Sequence, residues 1–170
     1  TLIGVGEQLA GVRYREGAAT DTSLRILADH SRAVTFMIGD GILPSNEGRG
    51  YVLRRLLRRA VYHGRLMGVH GSFLPTYAHE VTRLMADVYP QLVENQALID
   101  GIISAEEERF GATLDAGEGN LTAALGRLDA GEALSGEVAF RLHDTYGFPI
   151  DLTREIAAAA GHEVDMAAFD

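Results

Sequence analysis

The residues best suited to chemistry are arginines. The chain has 170 residues and no lysine, so all 15 of its basic side chains are Arg. Six of them, Arg49, Arg54, Arg55, Arg58, Arg59 and Arg65, fall in a stretch without a single acid. Each is a planar fork of donors that can hold a phosphate or stack on a base. On a helical wheel at ~100° per residue, Arg54, Arg55, Arg58, Arg59 and Arg65 share one arc, with Tyr62 among them. Val52, Leu53, Leu56, Leu57, Ala60 and Val61 take the other side. One face is therefore read as core and the other as cationic, with an aromatic among the cations. Guanidinium groups one turn apart repel one another, and a polyanion relieves that cost while releasing counterions. The structural alternative is pairing with acids of neighbouring helices, for which Arg55 and Arg58 are the inner candidates.

The whole chain carries a net charge of −9, which by itself argues against nucleic acid. Distribution matters more than the sum: a basic patch on an acidic body suits a selective RNA binder, because the acidic remainder repels RNA in wrong orientations. No cysteine is present, which excludes disulfides and thiolate metal sites and agrees with a cytoplasmic protein. The six histidines, at 30, 63, 70, 79, 143 and 162, never form an i, i+4 pair around a carboxylate, so no metal site is expected. His30 reads as a helix-pairing residue. Gly48 and Gly50 flank Arg49 ahead of a helix, but their spacing fits no nucleotide-binding loop. With no G-x-S-x-G and no paired catalytic carboxylates, these residues are expected to catalyse nothing by themselves.

The elements that must carry these side chains are helical. The pattern predicts an all-α bundle of about six to eight helices in two packed subdomains, 1–90 and 91–170, with a soft boundary near Tyr89-Pro90. A short helix covers Leu2 to about Leu9. Another, capped by Asp21-Thr22-Ser23, reaches about Asp40, with Leu24, Leu27, Val34, Met37 and Ile38 inside. The turn-rich Leu43-Pro44-Ser45-Asn46-Glu47-Gly48 leads into the arginine helix, Arg49 to Met67. Pro75 opens a helix to about Tyr89. A longer one spans Gln91 to Asp115, with Leu92, Ile99, Ile102, Ile103, Phe110 and Leu114 inward and Glu106-Glu107-Glu108 on a solvated face. Short helices follow around Leu121, Leu125 and Leu128, and from Ser135 to about Asp144. Tyr146-Gly147-Phe148-Pro149 breaks the chain before a last helix that ends at Gly161. The first residues lack the basic and apolar pattern of a signal peptide, so none is expected in them, and no run is long enough to span a membrane. Thr1 in place of Met, and a helix-like pattern still running at Asp170, suggest that both ends are cuts in a longer chain.

Three stretches carry a resemblance. They are Ala28-Asp29-His30-Ser31-Arg32-Ala33-Val34-Thr35-Phe36, the run from Gly41 through Pro44-Ser45-Asn46-Glu47-Gly48-Arg49 to Ala60, and Ala139-Phe140-Arg141-Leu142-His143-Asp144-Thr145-Tyr146-Gly147-Phe148-Pro149-Ile150-Asp151-Leu152-Thr153. Together and in this order they resemble the alanine–tRNA ligases over essentially the whole chain. His143 departs from that pattern, which usually has Tyr there. The resemblance implies a class II aminoacyl-tRNA synthetase that attaches alanine to its tRNA using ATP. ATP with magnesium would belong to a catalytic domain before Thr1, and zinc to an editing domain after Asp170. This helical part would hold the acceptor stem of alanine tRNA, with those two domains as its partners in the same chain and no membrane involved.

By motif position, the resemblance makes Asn46 and Asp144 the readers of a G·U wobble pair in that stem. Arg49, Arg54, Arg55, Arg58, Arg59 and Tyr62 would supply backbone contacts or support. The chemistry is sensible, because the shallow minor groove of A-form RNA presents the guanine 2-amino group. In a wobble pair that group has no partner base; a carboxylate can accept from it, and an amide can both donate and accept. Without the resemblance, Asn46 reads as a helix cap or turn residue and Asp144 as a residue closing a turn. The competing reading is a helical protein-interaction or scaffold domain whose Arg face meets an acidic partner. A ridge of internal Arg–carboxylate pairs would favour it.

Overall fold

The computed structural model describes residues 1–169. Among them lie eight α-helices and a single isolated bridge between Leu134 and Val164. The helices are α1 (Leu2–Ala10), α2 (Ala18–Gly39), α3 (Gly48–Leu66), α4 (Leu74–Met85), α5 (Gln91–Glu94), α6 (Gln96–Leu125), α7 (Gly136–Tyr146) and α8 (Ile150–Ala159). The all-α reading holds. By backbone contacts the chain divides into one unit, Thr1–Arg109, and a second from Phe110 onward, with α6 supplying residues to each.

In the first unit α2 is the central helix, with α1, α3, α4 and α5 packed on it. Its inner residues Leu24, Leu27, Val34 and Ile38 are at most 1% exposed, as their three-, four- and seven-residue spacing predicts. Leu53, Leu57, Ala60 and Val61 of α3 and Ile99 and Ile103 of α6 complete this core. Pro75 sits in the first turn of α4, where its missing N–H costs nothing.

Helix α4 has no side-chain cap of its own. Glu107 supplies one from α6: its Oε1 accepts from the backbone N–H groups of Phe73 (2.9 Å) and Leu74 (3.2 Å), and its Oε2 accepts from the Ser72 hydroxyl (2.6 Å). Burial pushes the Glu107 carboxyl above its ordinary range, against the pull of these donors and of Arg65. The solvated face expected at Glu106-Glu107-Glu108 is corrected accordingly. Glu106 and Glu107 are each 4% exposed, and only Glu108 faces solvent. A carboxylate that caps one helix or gathers the cations of another can be buried because its charge is met.

In the second unit the structure joins what the sequence divides. Helix α6 continues without a break past Asp115 to Leu125, where a separate short helix was expected. Gly117 is a contact residue here rather than a breaker. A Cβ on Gly117 would lie 2.3 Å from the ring of Phe148, which is fully buried. Leu114, Leu121 and Leu125 line the same buried side of α6. Phe110 meets Phe148 edge-on at 5.6 Å between ring centres, and the Thr113 hydroxyl donates to the Tyr146 carbonyl at 2.9 Å. Helix α7 ends as its Tyr-Gly-Phe-Pro turn predicts. Gly147 is left-handed, and the Phe148 N–H reaches back to the Leu142 carbonyl at 3.0 Å.

Candidate nucleic-acid interface

Asn46 is exposed in the turn ahead of α3. It is not the cap of that helix: Glu47 holds the N-cap position, without a side-chain cap bond. Ser45 shapes the turn instead, its hydroxyl donating to the Glu47 carbonyl at 2.7 Å. The turn lies flat on α3 because position 50 is glycine. A Cβ there would come within 2.4 Å of the Leu43 carbonyl oxygen and 2.2 Å of the Ser45 hydroxyl. So seated, the Asn46 amide oxygen accepts a hydrogen bond from Nη1 of Arg54.

Arg54 is in turn drawn to α6. Its Nε lies 3.6 Å from Oε2 of Glu106, Nη2 of Arg58 lies 3.5 Å from the same oxygen, and Nη1 of Arg109 lies 2.6 Å from Oε1. One buried carboxylate thus gathers three guanidinium groups from two helices. The side chains of Arg54 and Arg58 are only 20% and 11% exposed, whereas that of Arg109 is 63% exposed. Burial lowers the Arg58 pKa, and Glu106 works against that shift. The pairing anticipated for Arg58 is therefore present, and Arg54 joins it.

Helix α2 covers another part of the arginine helix. Desolvation lowers the pKa of His30, its hydrogen-bonded neighbour Asp29 raises it, and the charges of Arg55 and Arg59 lower it further. His63 is 3% exposed and hydrogen-bonded to Ser23 at 3.1 Å. Burial, Arg59 and His30 together bring its pKa down to about 4. Tyr62, placed among the cations by the helical wheel, is 7% exposed and meets His63 edge-on at 5.6 Å. Val52, placed in the core, is 39% exposed. The buried sector of α3 is thus rotated toward Tyr62 and His63, because α2 and α6 both contribute partners that a single-helix wheel does not contain. Arg49 stays exposed at the first turn, and Arg55 and Arg59 are half-buried.

Asp144 lies within α7, near its C-terminal end rather than in a turn, and is exposed. One turn earlier, Arg141 borders a groove of about 220 Å³ shared with Asn120, Arg127, Leu142 and Tyr146. Arg127 and Arg141 are exposed, and among the described residues neither enters an ion pair. Neither belongs to an arginine cluster in the sequence, since they are 14 positions apart and each is solitary there. Arg141 was legible only as part of the Ala139–Thr153 stretch. On the other side of α7, His143 and Phe140 pack near Phe169, with ring centres 5.8 and 6.2 Å away.

Among the described residues, no group of three or more His, Cys, Asp or Glu is placed to hold a metal ion. Among the same residues no helix is long and apolar enough to cross a membrane.

A family model described as tRNA synthetases class II (A) matches residues 1–170. Among curated proteins, an alanine–tRNA ligase of Petrotoga mobilis is 47% identical over 163 residues, covering 96% of this chain and 19% of the relative. One of Clostridioides difficile is 50% identical over 172 residues, covering 100% of this chain and 20% of the relative. One of Psychrobacter sp. is 53% identical over 169 residues, covering 99% and 18%. The chain therefore spans about one fifth of the length of the curated relatives it matches.

Proposed function

The chain belongs to the class II (A) tRNA synthetases, and from that membership we propose that it is the acceptor-stem-binding part of an alanine–tRNA ligase. The whole protein then attaches alanine to its tRNA at the expense of ATP, in the cytoplasm. ATP with magnesium, and zinc, are used by parts of the protein outside these residues. Asn46 and Asp144 read the G·U wobble pair. Asp144 accepts from the guanine 2-amino group, and Asn46 engages a neighbouring base edge or ribose in the minor groove. Arg49 contacts the RNA backbone, Arg54, Arg55, Arg58 and Arg59 contact or support it, and Tyr62 supports from the core. Arg127 and Arg141 add phosphate contacts beside Asp144.

The observation that carries this reading is the exposure of Asn46 and Asp144, each beside arginines, in a chain about half identical to alanine–tRNA ligases along nearly its whole length. An exposed carboxylate with no ion-pair partner among the described residues can accept from a ligand without first giving up an internal contact.

One observation favours the scaffold reading, in which the Arg face meets an acidic protein: Glu106 already engages Arg54, Arg58 and Arg109. Binding to an acceptor-stem hairpin, by fluorescence anisotropy at two salt concentrations, separates the two. Preference for the G·U hairpin over its G·C counterpart, lost in Asn46→Ala or Asp144→Ala, supports the recognition reading. Absence of binding at low salt favours the scaffold.

A further inference from the structure

We propose that Arg54 is a positioning residue that fixes which end of the Asn46 amide faces the RNA, so that Asn46 acts as the hydrogen-bond donor of the recognition site. The inference rests on the reading of Asn46 as a base-reading residue and assigns that residue's chemistry.

The argument begins with donors and acceptors. A side-chain amide has an accepting end and a donating end of nearly the same shape, and its last torsion is broadly two-fold. An exposed asparagine in a turn can present either end. A guanidinium group, however, carries donors only. The atom of Asn46 that meets Arg54 must therefore be the carbonyl oxygen, which turns the NH2 group away from Arg54.

Arg54 is itself restrained. Its side chain is one-fifth exposed and its Nε faces Glu106, a carboxylate 4% exposed on α6 that also holds Arg58 and Arg109. Gly50 allows the turn carrying Asn46 to lie against α3. The amide of an exposed turn residue is thus tied through one guanidinium group to a buried carboxylate on a 30-residue helix. Fixing a reading group before the ligand arrives removes an ordering cost from binding.

Chemical complementarity follows. A carboxylate only accepts, so Asp144 suits the guanine amino group. An outward NH2 donates, so Asn46 suits an acceptor of an RNA minor groove: a pyrimidine O2, a purine N3 or a ribose 2′ oxygen. One residue demands a donor from the RNA and the other an acceptor. A base pair that shifts either group out of register loses a bond.

The test compares Asn46→Ala, Arg54→Gln and the double variant of the protein, binding G·U and G·C hairpins over a range of salt. Arg54→Gln should reduce the G·U preference about tenfold, as for losing a base contact worth 1–3 kcal/mol, with a smaller loss of G·C affinity. The double variant should show no less preference than Asn46→Ala alone. If Arg54→Gln instead weakens both hairpins equally and flattens the salt dependence, Arg54 is a phosphate contact and the proposal is overturned. If Asn46→Ala leaves the preference intact, the base-reading role of Asn46 fails first. The orienting role is then judged by the Asn46 side-chain amide in NMR. Its NH2 should be ordered in the parent protein and mobile in Arg54→Gln; equal order in both overturns the proposal without reference to RNA.

Discussion

The two units use arginine in opposite ways. On α3, in the first, the cations are dense, half-buried and partly committed to a carboxylate of the same unit. Beside α7, in the second, Arg127 and Arg141 are sparse, exposed and outside any ion pair among the described residues. A run of arginines in a sequence therefore measures potential for anion binding and not its availability. Availability depends on whether an acid lies opposite, and Glu106 is 52 and 48 positions from Arg54 and Arg58.

The sharpest way to break the contrast is to remove the carboxylate. Glu106→Gln should leave partly buried guanidinium groups uncompensated and cost about 3–5 kcal/mol. Urea denaturation of the parent and variant measures it, and a loss below about 1 kcal/mol would mean that the α3 cations are solvated like those near α7.

A second effect lies under the same helix. The pKa of His63 falls from 6.5 to about 4 in the folded protein. The unfolded chain thus takes up a proton that the folded one refuses. The stability associated with neutral His63 is complete above pH 6.5 and declines as pH falls toward 4, by at most about 3 kcal/mol. Glu107, whose pKa is raised by burial, has the opposite sign, since its burial destabilises as pH rises through the raised value. Denaturation midpoints between pH 4 and 7, with His63→Gln as control, separate the two, because the substitution should flatten only the histidine contribution.

Gly117→Ala probes the packing that supports α7. Its Cβ would meet the Phe148 ring at 2.3 Å, and overpacking of that kind costs about 1–3 kcal/mol, readable as a drop in thermal midpoint. Smallest of all are Arg127→Ala and Arg141→Ala. Each should change stability by less than about 0.5 kcal/mol. Each should weaken RNA binding alike for all sequences and reduce the salt slope by about one. A loss confined to the G·U hairpin would instead make them base readers.

These contrasts mark where the sequence was legible. Leu24, Leu27, Val34 and Ile38 announced the buried side of α2, and the Tyr-Gly-Phe-Pro turn announced the end of α7, because both signals are local. The continuation of α6 beyond Asp115 is not legible, since sequence does not show Phe148 filling the space at Gly117. The run Glu106-Glu107-Glu108 reads as solvated, since neither Arg54 and Arg58 nor the bare start of α4 is nearby in sequence. Tyr62 fell on the wrong side of the wheel because α3 is packed by more than one neighbour. Asn46 and Asp144 were singled out by motif. The structure adds the guanidinium group that holds the first and the groove that borders the helix of the second.

The most direct measurement is the ratio of affinities for the G·U and G·C acceptor-stem hairpins, determined for the parent protein, Asn46→Ala and Asp144→Ala at one moderate salt concentration. The expected result is a preference for G·U that each substitution reduces by about tenfold or more. Equal affinities for the two hairpins in the parent protein would contradict recognition of the wobble pair and leave only a general, salt-sensitive hold on RNA.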